Sequence, residues 1–381
     1  MKYLSFYLIF LVLYALINYY PALRGYQALH TSYPGAARAW VAIVFFGTVL
    51  LPLSRYLAKS LSHAVNRLLM LTANYWLGII FYLFLIVLAA DLLRLCDRYF
   101  NLLPRAYKTP HPSIALAIFC FIIALQIYGT WNARNPVVMR YQLTLDRKSS
   151  KLEGLNVVMV SDIHLGWIVG LDRLNQLVDD INALNPDIVL LTGDVIDEGV
   201  DLAAEAGIPR AFRRLNSRYG TFAVPGNHEY ISRQVYRVGQ YLDEAGVTVL
   251  RDRWIRLDDS LYLVGRDDLT RGRFTSVERK GLLELMQGID SEELPILLMD
   301  HQPYDLAQPA RAGVDLQFSG HTHLGQFFPN NFITNAMYDQ DWGYLRRDNF
   351  HLIVSCGYGT WGPPIRIGNR PEIVAVAIEF K

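Results

Sequence analysis

The first third of the chain contains four long apolar segments, and they constrain the fold more than any other feature. They cover residues 4–20, 37–57, 73–95 and 113–130, with short polar breaks between them. A helix needs about 20 apolar residues to cross the hydrocarbon core of a bilayer, with about 17 as the lower limit. The sequence therefore predicts a transmembrane domain of four helices over residues 1–132.

The first segment has a second interpretation. Lys2 gives it the short positive start of a secretory signal peptide, which would be cleaved. However, the segment ends in Asn18-Tyr19-Tyr20-Pro21 and contains no small-x-small cleavage site. We therefore expect this helix to be retained in the membrane.

Four membrane crossings place both ends of the helical domain on the same side of the bilayer. That side carries more Lys and Arg residues, among them Arg55, Arg67 and Arg140, than the opposite loops. Because cytoplasmic loops are enriched in positive charge, this pattern predicts a multi-pass protein of the bacterial inner membrane with a cytoplasmic catalytic domain. Loss of the first helix would reverse the assignment.

Charge and cysteine usage exclude several classes of protein. Lys and Arg number 36 against 35 Asp and Glu, so the chain lacks the basic surplus of a nucleic-acid binder. Cys96, Cys120 and Cys356 lie far apart and form no CxxC pair, which excludes a disulfide framework and thiolate zinc sites. The sequence does not indicate an oligomeric state.

From Val137 onward the pattern changes to short β-rich runs that alternate with helical stretches. The run Asn156–Val160, for example, is followed by the helical pattern Leu171–Leu184. Such alternation is typical of layered α/β domains. We predict a linker and first-strand region over residues 133–153 and an α/β domain over residues 154–381.

Five of the predicted strands end directly in side chains that bind metals. Sites in α/β sheets form at the carboxyl ends of strands, so these side chains should converge. Each cluster alone has a plainer explanation as a turn or an ordinary core histidine, but their ordered repetition favours a shared site. The clusters are Asp162-Ile163-His164, Gly193-Asp194, Gly226-Asn227-His228-Glu229, His301 and Gly320-His321-Thr322-His323.

The donor atoms in these clusters indicate the kind of metal site. Carboxylate, amide and imidazole donors suit Mn, Fe, Zn or Mg, and the sequence does not select among them. The donors are more numerous than one closed tetrahedral ion uses. Two divalent metal ions that share a bridging carboxylate account for them, and such pairs catalyse phosphoryl displacement.

The ordered motifs D-x-H, G-D, G-N-H-[D/E], a strand-end H and G-H-x-H resemble those of the calcineurin-like metallophosphoesterase superfamily. The resemblance covers roughly Leu155 to Phe380, and it is most similar to the bacterial membrane-associated YkuE/YaeI-type branch, as in the run Pro363–Glu372. It implies a four-layer α-β-β-α sandwich with the metals at the top of the two sheets.

The resemblance also implies a role for each matching residue. The first metal would be bound by Asp162, His164 and His323, the second by Asn227, His301 and His321, with Asp194 as the bridge. His228 would lie near the leaving-group oxygen as a general acid or electrostatic stabiliser. The alternative is that His228 is a further ligand or a hydrogen-bonded loop residue.

Three further residues have more distant expected roles. Asp197 and Glu229 are predicted to orient histidines, and the alternative is that they are surface acids. Arg366 is predicted to reach the substrate phosphate. Position 324 is Leu, where similar proteins usually have Gly. The segment Phe327–Asn349 is rich in aromatic residues and arginines, which would either seat an amphiphilic substrate or anchor the domain at the headgroups.

These observations lead to one principal functional hypothesis. A membrane anchor favours a substrate that is itself in the lipid, so we expect hydrolysis of a phosphodiester or pyrophosphate bond in a lipid-linked substrate. The resemblance suggests a UDP-diacylglucosamine-like compound. The alternatives are a phosphodiesterase for soluble nucleotides, a phosphoprotein phosphatase, and a membrane sensor or transport module with a regulatory phosphoesterase domain.

Overall fold

The chain divides into two structural units. The computed structural model describes residues 2–57, 60–104, 107–146, 148–197 and 207–381, with the backbone alone for residues 2–8. The first unit comprises Met1–Trp131 and Gly362–Ile365, and the second comprises Asn132–Trp361 and Arg366–Lys381. The sequence had indicated a boundary near residue 132, but it gave no sign that a late four-residue segment belongs to the first unit.

Long helices form the first unit. They are α1 (Lys2–Leu29), α2 (Pro34–Leu57), α3 (His63–Phe100) and α4 (Pro112–Arg134). Within the described residues, α2, α3 and α4 are long and apolar enough to span a bilayer. The predicted first span over residues 4–20 is helical as part of α1, but α1 is not among these three candidate spans.

Helix α3 is much longer than the apolar segment that predicted it. Its 38 residues extend about 57 Å at 1.5 Å per residue, whereas the hydrocarbon core is about 30 Å thick. The helix continues through polar residues because backbone hydrogen bonding does not depend on hydropathy. It ends at Phe100, and the next residue, Asn101, has a left-handed φ of 50° and donates its N–H to the carbonyl of Asp97 over 2.8 Å.

Two six-stranded mixed sheets form the second unit. The first has the order β1-β12-β2-β3-β4-β5 and the second the order β10-β11-β9-β8-β7-β6. The strands of the first sheet are β1 (Val137–Leu145), β2 (Gly154–Val160), β3 (Ile188–Thr192), β4 (Thr221–Val224), β5 (Val247–Val249) and β12 (Glu372–Phe380). Those of the second are β6 (Arg253–Leu257), β7 (Leu261–Gly265), β8 (Ile296–Met299), β9 (Leu316–Ser319), β10 (Gly343–Arg347) and β11 (Phe350–Val354).

Parallel pairing places the metal-type residues at one edge. Strands β2, β3, β4 and β5 run parallel in the first sheet, and β7, β8, β9 and β11 run parallel in the second. Strand β1 lies in the predicted linker region and pairs in parallel with β12. The carboxyl ends of β2, β3 and β4 therefore meet at one end of the first sheet, and those of β8 and β9 at one end of the second.

Shorter helices complete the second unit. They are α5 (Leu171–Ala183), α6 (Ile208–Phe212), α7 (Asn227–Ile231), α8 (Val235–Glu244), α9 (Arg271–Phe274), α10 (Leu282–Leu285), α11 (Ala307–Arg311) and α12 (Asn331–Met337). A 3-10 turn, His323–Gly325, follows β9.

Three apolar cores hold these elements together. Side chains alternate across a strand, so Val157 and Met159 of β2 point into the core that also contains Leu297 and Phe318 of the second sheet. Val158 points the other way, into a core that contains residues of α5 and α8. A third core joins the second sheet to α10. Helices therefore cover the outer faces of both sheets, and the sheets pack on each other between them.

Candidate metal centre

The metal-type residues lie together at the carboxyl ends of the strands that precede them. Asp162 and His164 follow β2, Asp194 follows β3, and Asn227 begins α7 just after β4. From the second sheet, His301 follows β8, and His321 and His323 follow β9. Except for the partly exposed His321 and His228, these predicted site residues are buried, so both sheets contribute to one enclosed group.

The turns that carry these residues have an uncommon backbone conformation. The residues with left-handed φ angles at the site are Asp162 (54°), His164 (52°), Asp194 (51°), His321 (73°) and His323 (51°). Positive φ is rare outside glycine, although Asp and His adopt it more readily than most residues, and such conformations cluster at functional sites. The sharp turns direct the side chains inward at the point where each strand ends.

A first group of possible ligands consists of Asp162, His164 and His323. The Nε2 atoms of His164 and His323 are 3.0 Å apart. The Oδ1 atom of Asp162 lies 3.2 Å from His323 Nε2 and 3.9 Å from His164 Nε2. Three donor atoms from three different turns thus face a common point.

The chemistry of this group fits a cation. Asp162 Oδ2 accepts hydrogen bonds from Ser161 Oγ and from the backbone N–H of His321. Its Oδ1 is buried and has no hydrogen-bond partner among the described residues. A buried carboxylate oxygen without a partner is costly unless a positive charge compensates it. A divalent ion with oxygen and imidazole ligands is a matching partner.

A second group consists of Asn227, His301 and His321, and Asp194 contacts it. His301 Nε2 lies 3.2 Å from Asp194 Oδ2 and 3.2 Å from Asn227 Oδ1, and His321 Nδ1 lies 2.7 Å from the same amide oxygen. On the far side of its ring, His301 Nδ1 donates to the carbonyl oxygen of Thr192 over 2.7 Å. This bond keeps a proton on Nδ1 and orients the ring. Burial opposes the shift, but the charge of Asp194 raises the pKa of His301 well above its usual value, so a metal ion would bind at Nε2 in place of the proton there.

Asp194 lies between the two groups. Its Oδ2 is 3.9 Å from His164 Nε2 in the first group and 3.2 Å from His301 Nε2 in the second. Its Oδ1 accepts the backbone N–H of His228 over 2.8 Å. Gly226 packs against this carboxylate so closely that a Cβ at position 226 would overlap it.

The pKa values of two histidines favour the neutral form that binds metals. Burial and the charge of His301 lower the pKa of His321 to about 4. Burial also lowers the pKa of His323 to about 4, although Asp162 opposes the shift. Burial would raise the pKa of Asp162, but the charges of His323, His301 and His164 lower it well below its usual value. Neutral imidazoles beside ionised carboxylates are the ligand forms that cations require.

His228 stands beside the first group with a partner of its own. Its ring makes an edge contact with that of His164, with centroids 4.6 Å apart, and its Nδ1 donates to Asp197 Oδ1. Burial would lower the pKa of His228, but the charge of Asp194 and the bond to Asp197 raise it to about 9. Asp197 therefore contacts a histidine in the structure.

Glu229 contacts the backbone rather than a histidine. Its Oε1 accepts the N–H groups of Val195 (2.8 Å) and Ile196 (3.1 Å), and its Oε2 accepts those of Gly226 (2.8 Å) and Asp194 (3.2 Å). The expectation that it orients a histidine therefore differs from what the structure shows. The carboxylate joins the turn after β3 to the turn after β4, since both turns present unpaired N–H groups to it.

Arg366 lies behind the ligands, where it does not face a substrate. Its side chain is buried and donates to the carbonyls of Gly357 (3.0 Å) and Gly359 (2.7 Å) and to Asn369 Oδ1 (3.1 Å). Its Nη2 lies 3.3 Å from His323 Nδ1. This geometry differs from the predicted contact with a substrate phosphate, because the guanidinium group donates its hydrogen bonds to the loop that supports His323.

Sequence reasoning missed one supporting residue. Asn369 Nδ2 donates to the carbonyls of His323 and Leu324, both over 3.1 Å. Leu324, where similar proteins usually have Gly, has a left-handed φ of 46°. The turn that carries His323 is thus held from outside by Asn369, which lies inside the run Pro363–Glu372.

Comparisons with known proteins place the chain near the metallophosphoesterases. The family profile for calcineurin-like phosphoesterases matches residues 155–325. An uncharacterised metallophosphoesterase from Aquifex aeolicus is 31% identical over 249 residues, which cover 64% of this chain and 92% of the relative. The metallophosphoesterase YkuE of Bacillus subtilis is 28% identical over 239 residues, or 60% of this chain and 80% of YkuE.

Other relatives are named as transmembrane proteins. A Danio rerio protein called "Transmembrane protein with metallophosphoesterase domain" is 32% identical over 266 residues, or 67% of this chain. The chain spans 60% of that relative's length and 62% of the length of the Bos taurus protein of the same name.

The chain belongs to the calcineurin-like phosphoesterase family, whose members are metal-dependent phosphoester hydrolases that use divalent ions. The apolar helices α2, α3 and α4 and the relatives named as transmembrane proteins indicate that it is a membrane-associated member of that family.

Proposed function

We propose that the chain is a dinuclear phosphoesterase in which Asp194 bridges two divalent ions. Asp162, His164 and His323 would hold the first ion, and Asn227, His301 and His321 would hold the second. The position of Asp194 Oδ2 carries this proposal, because it is within 3.9 Å of a ligand nitrogen in each group. Mn, Fe, Zn and Mg all suit this donor set.

The residues of the chain have distinct tasks in the proposed reaction. Bound ions would supply Lewis acidity to a phosphoryl oxygen and lower the pKa of a water molecule. His228, held by Asp197, keeps a proton close to the ligand groups, where it can pass to the leaving-group oxygen. Glu229 and Arg366 position the ligand turns through the backbone, so they contribute geometry rather than chemistry.

The test is hydrolysis of bis-p-nitrophenyl phosphate and p-nitrophenyl phosphate by the full chain with Mn²⁺. We expect metal-dependent turnover that falls by more than about 100-fold in Asp194→Asn, since even residues that only support metal ligands contribute about 10- to 100-fold. Asp179→Asn, at an exposed position, is the matched control. Full activity of Asp194→Asn would contradict the bridging role, and the ratio of the two rates distinguishes diester from monoester preference.

We further propose that the substrate is lipid-linked, because an exposed apolar surface adjoins the ligand turns. This surface, the α12 patch, consists of Phe328, Phe332, Ile333 and Met337. Helix α12 packs on the turn that carries His323, and the ring of the following residue, Tyr338, lies 6.1 Å from that of His321. An apolar group on the patch would therefore lie close to the ligands, and contiguous exposed apolar residues commonly mark such binding surfaces.

Substrate profiling tests the lipid proposal. We expect faster hydrolysis of UDP-diacylglucosamine in mixed micelles than of a soluble UDP-sugar. The double variant Phe332→Ser/Ile333→Ser should slow only the lipid reaction, whereas Leu283→Ser, an exposed leucine on α10, should change neither. Equal rates on both substrates would favour a phosphodiesterase for soluble nucleotides instead. Loss of both reactions in the double variant would indicate damage to the metal turn.

The membrane arrangement is part of the proposal. We infer four crossings that include α1, a location in the bacterial inner membrane, and a cytoplasmic catalytic unit of four layers, α-β-β-α. The excess of Lys and Arg on the predicted cytoplasmic side supports the orientation, and helices on the outer faces of both sheets support the layers. Protease treatment of spheroplasts should spare the catalytic unit, while treatment of inverted membrane vesicles should digest it. The reverse result would overturn the orientation.

A further inference from the structure

The helical unit contains a cavity that the proposed chemistry does not use. It has a volume of about 430 Å³ and is lined by residues of α1, α2, α3 and α4. This volume lies within the range of about 300–1,000 Å³ that is usual for small-molecule sites. Its walls are almost entirely apolar, which suits a hydrocarbon chain.

The cavity is polar at only one end. Arg24 lies near the end of α1 and Arg94 near the end of α3, and both line the cavity at the end of the unit where α2 and α4 begin. Farther along the same helices, the walls are formed by Ile43, Val87 and Ile118. This gradient from guanidinium groups to aliphatic side chains matches an amphiphile with its head at the helix ends.

The polar end carries an excess of positive charge. Asp91 pairs with Arg24 Nε (2.6 Å) through Oδ2 and with Arg94 Nη1 (2.8 Å) through Oδ1, and Tyr20 also donates to this carboxylate. One carboxylate therefore faces two guanidiniums. Each guanidinium has five N–H donors, more than its contacts with described residues use.

We propose that this cavity binds an acyl chain of an anionic phospholipid, with the lipid phosphate at Arg24 and Arg94. The excess positive charge of the two guanidinium groups can balance a lipid phosphate, so no further cation is needed at the site. Guanidinium groups also bind phosphate oxygens in bidentate geometry. The lipid acts here as a ligand of the helical unit. The proposal is independent of the metal centre and of the phosphoesterase substrate.

The first experiment needs no variant. The delipidated full chain in detergent is incubated with dioleoylphosphatidylglycerol or dioleoylphosphatidylcholine, and bound lipid is counted by native mass spectrometry. We expect one retained phosphatidylglycerol per chain and weaker retention of phosphatidylcholine. Arg94→Gln should reduce the preference about tenfold, equivalent to about 1.4 kcal/mol. Equal retention of both lipids by the unmodified chain would overturn the proposal.

Filling the cavity provides a second, steric test. Ala115→Phe on α4 and Ala39→Phe on α2 place a ring in the cavity, whereas Ala124→Phe places the same ring on the exposed side of α4. We expect the first two variants to lose the retained lipid and the third to keep it. Equal loss in all three, or retention in both filled variants, would contradict the assignment. If the filled variants do not fold, the comparison of lipids on the unmodified chain still decides.

Discussion

The carboxylate of Glu229 accepts the backbone N–H of Asp194 over 3.2 Å. Glu229 is buried and is not one of the proposed metal ligands, yet it holds in place Asp194, which lies between the two ligand groups. The same carboxylate accepts the N–H groups of Val195, Ile196 and Gly226. Burial and the charge of Asp194 raise the pKa of Glu229 to about 7. Two turns of the site therefore share one structural support.

Removal of this support should destabilise the protein. Glu229→Ala leaves buried N–H groups without acceptors, at about 1–3 kcal/mol for each unsatisfied group. We expect a loss of at least about 3 kcal/mol, which corresponds to a melting temperature lower by about 6–12 °C in detergent. Glu284→Ala, at an exposed position on α10, is the control. Equal melting temperatures for the two variants would contradict a supporting role for Glu229.

Gly226→Ala should damage the site. The φ of Gly226 is −109°, which alanine adopts freely, but the new Cβ would overlap both the carboxylate and the backbone nitrogen of Asp194. We expect the rate on bis-p-nitrophenyl phosphate to fall by more than about 100-fold, comparable to the largest losses on disturbing the supports of metal ligands.

Gly239→Ala on α8 is the matched control for that substitution, because its Cβ would meet nothing within 4 Å. It should keep full activity and gain about 0.5–1 kcal/mol of helix stability. An active Gly226→Ala would show that Asp194 can move aside without loss of function.

The pair His228 and Asp197 should matter most for poor leaving groups. If His228 delivers the proton, His228→Gln should slow alkyl phosphodiesters by about 100- to 10,000-fold, the range of general acid catalysis. The loss should be much smaller for p-nitrophenolate, which leaves without a proton. Asp197→Asn should show the same pattern in milder form, as measured by kcat on both substrates. A loss independent of the leaving group would assign His228 an electrostatic role.

Chelation of divalent ions should lower the melting temperature. Ions that bind only the folded state, at a free concentration of 100 times Kd, add about 2.7 kcal/mol to the free energy of unfolding. For a unit of this size, this raises the melting temperature by about 5–10 °C. Differential scanning fluorimetry with EDTA and with added Mn²⁺ measures the shift. In Asp194→Asn the shift should shrink, and an equal shift in that variant would mean that the ions bind elsewhere.

The sequence predicted the position of the site better than its supports. Residues such as Asp162 and His301 were predictable because each lies two positions after the end of an apolar strand, and parallel strands bring their ends together. Glu229 was not, because its partners are backbone groups that have no signature in the sequence. The same is true of Arg366, whose carbonyl partners depend on how the loop Gly357–Gly359 folds.

The helical part shows a similar limit. Hydropathy located the centre of α3 but not its ends, since residues such as Asn66 and Asp97 continue the helix beyond the apolar stretch. Likewise, nothing in the composition of Gly362–Ile365 indicated that it belongs to the first unit. Local sequence predicts which segments are apolar, whereas tertiary packing decides where they end.

Strand β12 lies between β1 and β2 in the first sheet, although more than 200 residues of chain separate it from β2. On the ribosome, β1 and β2 are therefore made long before the strand that joins them. The first sheet is completed only after Glu372–Phe380 has been synthesised, when every proposed metal ligand is already in place along the chain. A chain that stopped before β12 would lack the strand that pairs with both β1 and β2, so its first sheet would be divided at that point.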